Sequence, residues 1–314
     1  RVMVRRQEAM SARNRVVEDL SQTEEAGVGV RALIGSSWGF QATPSLSEAE
    51  ARRAGEGAAA VAKASARVPG APMELSPAPV VVESWSSDWT EHPLDDVSLA
   101  DKADLLVAAT GAATDAGADL AQAHYQAWDT EKWFASSEGS RISQRIVECG
   151  GVVDATAIGD GETQRRSYPG VRGHYGTRGW ELMRSLDLVT NAARMAEEAR
   201  ALLSAPPCPA GTTTLILDSS QMALQIHESV GHAVELDRIL GGEAAFAGTS
   251  WLDPGRLGRL RFGSELMNIT ADATLGGAMG SFGYDDEGVP AQAVDIVRDG
   301  MWVGVLSGRD SAPE

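Results

Sequence analysis

Only two cysteines, Cys149 and Cys208, occur in 314 residues, and they lie far apart. So sparse a supply builds no disulfide framework and fits a reducing cytoplasm. Long apolar runs are missing as well. Nothing approaches the roughly 20 residues a membrane-crossing helix needs, and no signal-peptide pattern opens the chain. The expectation is a cytoplasmic protein with no membrane partner. Positive charge is also short: 27 Lys and Arg stand against 44 Asp and Glu, a net charge of −17. The two signs are interspersed, so no basic face is marked out for phosphates, and nucleic acid is not an expected partner. There is no internal repeat, and the one biased stretch is the alanine-rich 51–66. What remains is ordinary for globular protein: 43% hydrophobic and 23% charged residues, in a length sufficient for two domains. The chain opens on Arg1 in a strand-like run and stops soon after another, so both ends read as cuts in a longer protein.

Along the chain, Val2–Arg5 is strand-like, and polar residues follow to about 15. Residues 27–34 and 38–42, around the turn at Gly35, read as a hairpin. Ser45 or Ser47 caps a helix to about Ala66. A proline-rich connector spans 69–79, and Trp85 and Trp89 fall in a polar loop. A second helix runs from about Ser98 to Ala116, with an apolar stripe of Leu99, Leu105, Leu106 and Val107. Segments 119–127, 131–137, 141–148, 151–158 and 163–168 then alternate with turns at Glu138-Gly139, Gly150-Gly151 and Gly159-Asp160-Gly161, which predicts an antiparallel sheet. The longest helical period covers 178–204. Pro206-Pro207-Cys208-Pro209 ends it and marks a boundary between a domain 1–205 and a domain 206–314. In the second domain, 213–217, 259–262, 266–271, 291–298 and 301–306 read as strands among glycine-rich turns. The predicted class is α+β: helices on an antiparallel sheet, followed by a β-rich C-terminal domain carrying one principal helix.

That helix, capped by Asp218 or Ser219, contains Ile226-His227-Glu228-Ser229-Val230-Gly231-His232. Neutral imidazoles are common ligands for zinc, and a neighbouring carboxylate is the usual base for a water on the ion. The familiar zinc helix is His-Glu-x-x-His, with histidines at i and i+4. Here the second histidine is at i+5, which a regular helix would turn about 140° away from the first, against about 40° at i+4. The helix must bulge or unwind, and Gly231 sits where a break is tolerated. The alternative is two hydrogen-bonded structural histidines. Glu235 and Asp237 read as a solvated helix end, with support of the histidines as the other reading. Asp285-Asp286-Glu287-Gly288 lacks the alternating ligands of a calcium loop and reads as a turn. His92, His124 and His174 stand alone. Trp128 and Trp133 read as core or interface residues, and Cys149 as a small core residue.

The string His227-Glu-Ser-Val-Gly-His232-Ala-Val-Glu-Leu-Asp237 resembles the signature of the TldD/PmbA family. So do Gly280-Ser-Phe-Gly-Tyr-Asp-Asp-Glu-Gly-Val-Pro290, Asp299-Gly300, and upstream Gly27-Val-Gly-Val-Arg-Ala-Leu-Ile34 with Gly39-Phe40. These landmarks come in family order over nearly the whole chain. The resemblance implies an α/β N-terminal domain and a β-rich C-terminal domain of the modulator-of-gyrase type. It implies a metallopeptidase acting on unfolded or extended peptides, with His227 and His232 as ligands of a divalent metal, Zn2+ first, and Glu228 as the base. It implies a TldD-type subunit, in a homodimer or paired with a TldE/PmbA-type subunit. The family's third ligand, a cysteine late in the C-terminal domain, has no counterpart among these residues, so this chain by itself is expected to be inactive. Two other readings stand beside the peptidase: a non-proteolytic binding or assembly subunit, and an enzyme acting on a small amide in biosynthesis. An extended substrate would add as a strand to an exposed sheet edge, with the glycine-rich 276–283 as candidate.

Overall fold

The computed structural model describes residues 1–68, 72–159 and 161–313. In chain order the first part comprises β1 (Val2–Arg13), β2 (Val16–Ile34), β3 (Ser37–Thr43), α1 (Glu48–Ser65), β4 (Val82–Ser86), α2 (Leu99–Asp115), β5 (Leu120–Ala135), β6 (Arg141–Gly159), β7 (Glu162–Tyr168), β8 (His174–Gly176), α3 (Trp180–Leu186) and α4 (Leu188–Leu202). The strands form one sheet in the order β3-β2-β1-β5-β6-β4. Pairing is antiparallel except for β4, which runs parallel to β6. Strands β4, β8 and β7 share the far side of β6 along residues 141–145, 149–151 and 153–159. The α+β class is as expected.

Several strands are far longer than their side chains suggest. β1 reaches Arg13 instead of stopping near Arg5, because it is central and laddered on both sides, by β2 and by β5. The backbone pairing holds it extended whatever the side chains are. Alternation then sorts them, with Glu8, Met10 and Ala12 turned into the helix-covered face. β5 is one strand where two segments were expected, and so is β6. The Gly150-Gly151 pair is not a turn. It lies mid-strand, where a Cβ on Gly150 would stand 2.1 Å from the His174 carbonyl oxygen, and one on Gly151 2.6 Å from that of His124. The glycines admit close neighbours. Trp85 likewise belongs to strand β4 rather than to a loop. Of the expected connector 69–79, residues 69–71 lie outside the described residues, as does Asp160 of the turn at 159–161.

The helices cover one face. Ser47 caps α1, its hydroxyl accepting from the Glu50 amide, and Ala54, Ala58 and Ala62 pack down on β2 and β3. The approach is close: a Cβ on Gly39 would come within 2.0 Å of the Ala58 carbonyl oxygen. Ser98 caps α2 through the Asp101 amide at 3.1 Å. Leu106, Ala109 and Ala113 then join Met10, Tyr125, Val153, Met183 and Met195 in the first core. The helical run 178–204 is broken in two at Asp187, which adopts φ 46°. No helix among the described residues is long and apolar enough to cross a membrane.

The remaining part comprises α5 (Ser219–Ile226), α6 (Leu236–Ile239) and a small antiparallel sheet of β9 (Ile269–Asp272), β10 (Ala293–Arg298) and β11 (Met301–Trp302). Its core is Val230, Ala233, Val234, Leu252, Leu260, Ile296, Val297 and Trp302. Strands here are shorter than expected. Residues 213–217 are not a strand: Ile216 is 92% exposed, and no described strand pairs with the run. Residues 259–262 contribute one bridge, Arg261 to Met301. The glycine-rich 276–283 is turn and coil, so it offers no strand edge.

The segment 283–288 docks on the opposite face of the large sheet. Gln144 clamps it, Nε2 donating to the Tyr284 carbonyl at 2.8 Å while Oε1 accepts from the Gly283 and Tyr284 amides at 3.1 and 2.9 Å. Gly283 lies under Trp85, where a Cβ would be 2.3 Å from the indole, and Gly288 lies under Phe134. Arg309 reaches back to Glu138 with two bonds of 2.7 and 2.8 Å.

Candidate metal centre

Asp218 starts the motif helix, its Oδ1 accepting from the Ser220 and Gln221 amides at 3.0 and 3.2 Å. After Ile226 the coil widens. Residues His227–Gly231 form a π turn, and the His232 amide donates to the His227 carbonyl, five residues back. A turn closed over five residues stacks side chains five apart, as an α turn stacks those four apart. The i+5 spacing and the bulge it demanded are thereby reconciled. Gly231 is not the special element expected of it: its φ is −52°, ordinary for a helix, and a Cβ there would meet nothing nearer than 3.8 Å. Packing sets the bulge instead. Val230, Ala233 and Val234 are drawn into the second core, which leaves His227 and Glu228 outward with side chains 60% exposed.

The two imidazole rings sit edge to face, centroids 4.4 Å apart at 81°. His227 Nε2 is 3.9 Å from Glu228 Oε1. One ligand atom from each of His227, Glu228 and His232 lies within 4.8 Å of the others. Two imidazoles and a carboxylate gathered so closely suit a divalent ion of the zinc type. The structure brings together all three residues expected from the sequence.

Of the two readings left open for Glu235, a solvated helix end or a support of the histidines, the geometry takes the second. Glu235 Oε1 is 2.9 Å from His232 Nδ1, and its Oε2 accepts from Arg238 Nε at 3.0 Å. Two successive i,i+3 steps were the available signal. Asp237 does not join: its carboxylate accepts from the Arg238 amide at 3.0 Å.

The other polar groups sort plainly. His92, Asp95 and Asp129 also gather ligand atoms within 4.8 Å, but two guanidiniums already occupy them. Arg6 donates to Asp95 through two bonds of 2.8 Å and to Asp129 at 2.6 Å, and Arg145 donates to Asp129 at 3.0 and 2.9 Å. A third cation would be repelled. Burial drives the Asp129 carboxyl pKa upward, but bonds from His92, Arg145 and Arg6 outweigh it and hold the group well below the usual range. His92 is a satisfied core histidine, its Nδ1 accepting from the Leu94 and Asp95 amides at 3.3 Å each. Cys149 is buried beneath the Gly179 carbonyl, at 2.9 Å, and burial pushes its thiol up to about 12. Cys208 is exposed, and neither cysteine belongs to the trio. Asp285 closes a turn, its Oδ1 accepting from the Glu287 and Val289 amides at 2.8 Å each. Trp128 is half-buried against Tyr175, whereas Trp133 is exposed.

Family models cover nearly all of the chain: PmbA/TldA metallopeptidase domain 1 matches residues 1–66, the central domain 92–203 and the C-terminal domain 210–314. The chain belongs to the PmbA/TldD family. A metalloprotease of Methanocaldococcus jannaschii is 31% identical over 297 residues, 94% of this chain and 62% of that protein. A metalloprotease of Methanothermobacter thermautotrophicus is 30% identical over 296 residues, 94% of this chain and 61% of its own length. The chain thus spans about three fifths of these relatives. Among solved structures, a putative modulator of DNA gyrase from Thermotoga maritima superposes with a TM-score of 0.75 at 16% identity, over 99% of this chain and 67% of that one. TldE from Thermococcus kodakarensis does so with a TM-score of 0.65 at 14% identity, over 98% and 66%. The PmbA/TldD fold is shared, and the family is one of metallopeptidases.

Proposed function

We propose that this PmbA/TldD chain carries part of a metal-dependent peptidase for unfolded or extended peptides. Residues 206–314 bear the centre and 1–205 are its support. The π turn that closes His227 and His232 around Glu228 carries the reading. His227 and His232 hold the metal, taken to be Zn2+, and Glu228 is the catalytic base. A zinc site of this type uses three protein ligands, and the third lies outside the trio and is neither cysteine of this chain. Bound there, a divalent metal supplies Lewis acidity, lowering the pKa of a water and polarising the scissile carbonyl. Glu228, 60% exposed beside His227, takes the proton from the attacking water and passes it to the leaving amine. The resemblance to TldE supports assembly as a homodimer or with a TldE-like partner, and a cytoplasmic setting completes the reading.

A Glu228→Gln substitution in the intact protein is the test. Metal content should hold at wild-type stoichiometry while cleavage of an unfolded peptide falls at least a hundredfold, the scale of a lost general base. Normal cleavage by the variant would sink the mechanism. The openness of the trio favours a second reading, a subunit that binds without hydrolysing or that acts on a small amide. Intact protein with stoichiometric metal but no cleavage of unfolded peptides would select it.

A further inference from the structure

The two histidines are not held alike. The His227 imidazole has no hydrogen-bond partner among the described residues; Glu228 Oε1, 3.9 Å from its Nε2, is an ion-pair neighbour only. His232 is tied at Nδ1 to Glu235 Oε1 at 2.9 Å. Glu235 is itself fixed from two directions. Its Oε2 accepts from Arg238 Nε at 3.0 Å. Its backbone is pinned on both sides by Leu306, whose amide donates to the Val234 carbonyl at 2.9 Å and whose carbonyl accepts from the Leu236 amide at 2.7 Å. Arg238 in turn donates to the Ala247 carbonyl at 3.2 Å and lies 3.4 Å from Glu243. His232, Glu235 and Arg238 are all half-buried, so solvent screens this relay less than it does an exposed pair.

We propose that Glu235, braced by Arg238, is a positioning residue that fixes the tautomer of His232. The proposal rests on reading His232 as a metal ligand, and it adds how that ligand is prepared. An ionised carboxylate only accepts hydrogen bonds, so the proton of the neutral ring sits on Nδ1. Nε2 keeps the free lone pair and is the nitrogen offered to the metal. Free imidazole side chains in water favour the other tautomer, with the proton on Nε2. Glu235 therefore reverses a default, and does so before any metal arrives. Such carboxylate partners are worth roughly 10–100-fold in metal affinity. The centre consists of one preset ligand, His232, and one adaptable ligand, His227.

Nitrogen-15 NMR of the imidazoles in metal-free protein, at a pH where both rings are neutral, reads the tautomer directly. The expected result is Nδ1–H at His232 and a mixture dominated by Nε2–H at His227. In Glu235→Ala, His232 should revert towards the mixture, and titration with Zn2+ alone should show affinity falling roughly 10–100-fold. Glu235→Gln keeps one acceptor oxygen where two donors, His232 Nδ1–H and Arg238 Nε–H, converge, so it should weaken the tautomer preference and the affinity part-way. Arg238→Gln should likewise fall between wild type and Glu235→Ala. Nε2–H at His232 in the wild type overturns the proposal, as does a Glu235→Ala variant with unchanged tautomer and affinity. If Glu235→Ala does not fold, the wild-type spectrum and the glutamine variant decide between the same two outcomes. A wild type with the expected tautomer that binds no Zn2+ upholds the positioning and overturns only the metal reading.

Discussion

Lys102 and His227 show two ways of keeping a polar side chain. Lys102 is 1% exposed and its partner Glu8 2%, joined at 2.5 Å, with Gln22 donating to the second Glu8 oxygen at 2.7 Å. Glu8 stands on β1, laddered on both sides, and Lys102 on α2, one of the helices that roof it. His227 and Glu228 sit on a helix of which α5 contributes no buried residue, anchored only from Val230 onward. In the first region the charged pair is kept by mutual contact, Glu8 accepting from Lys102 on one oxygen and from Gln22 on the other. In the second the side chains are left unclaimed, which is what a ligand or a base requires. The buried structural pair and the proposed metal trio thus occupy different parts of the chain.

Substitutions should separate the two regions in a graded way. The largest effect is expected at Lys102→Ala, which strands the Glu8 carboxylate in the core and should cost about 3–5 kcal/mol in denaturant unfolding. Replacing both partners with apolar residues should restore most of that. A Lys102→Ala protein as stable as wild type would remove the contrast altogether. Next comes Asp129→Asn, at about 2–3 kcal/mol near neutral pH, less because Arg6 and Arg145 reach water. Its sign with pH is fixed. The folded carboxyl is held below its unfolded value of about 3.9. Its contribution is therefore complete above about pH 5 and is lost as pH falls through the unfolded and then the folded value. Acid titration of stability should show a shallower slope in the asparagine variant.

Gln144→Ala should cost about 1–3 kcal/mol by unpairing the amides of Gly283 and Tyr284. Faster hydrogen exchange confined to residues 280–290 would locate the loss. The smallest effect is expected at Glu228→Gln, within about 0.5 kcal/mol, since the side chain is solvated. A larger loss of stability there would place Glu228 with the structural groups instead.

The sequence revealed what is encoded locally. Ser47, Ser98 and Asp218 announce their helices because a cap needs only one side chain and the next turn's amides. The demand for a bulge between His227 and His232 followed from helix geometry alone. The long strands were hidden because their extension is fixed by neighbours distant in sequence. Gly150-Gly151 misled for the same reason: a glycine admitting a close neighbour looks, in one dimension, like a glycine making a turn. The break at Asp187 had no glycine or proline to mark it. Glu235 was left between a solvated helix end and a support of the histidines, because the choice depends on where Leu306 and Arg238 place it.

The π turn has one more consequence, which concerns phase. A residue added to a regular helix would rotate everything before it by about 100° relative to everything after it, but a turn closed over five residues absorbs the extra one and keeps its two flanks in phase. Deleting Ser229 would turn the string into His-Glu-x-x-His and allow an unbroken α-helix. With Val230, Ala233 and Val234 still locked in the second core, α5 would keep its azimuth and draw in along the helix axis by one residue's rise, ~1.5 Å. The wider turn therefore inserts a residue between the two histidines without re-aiming the helix that precedes them.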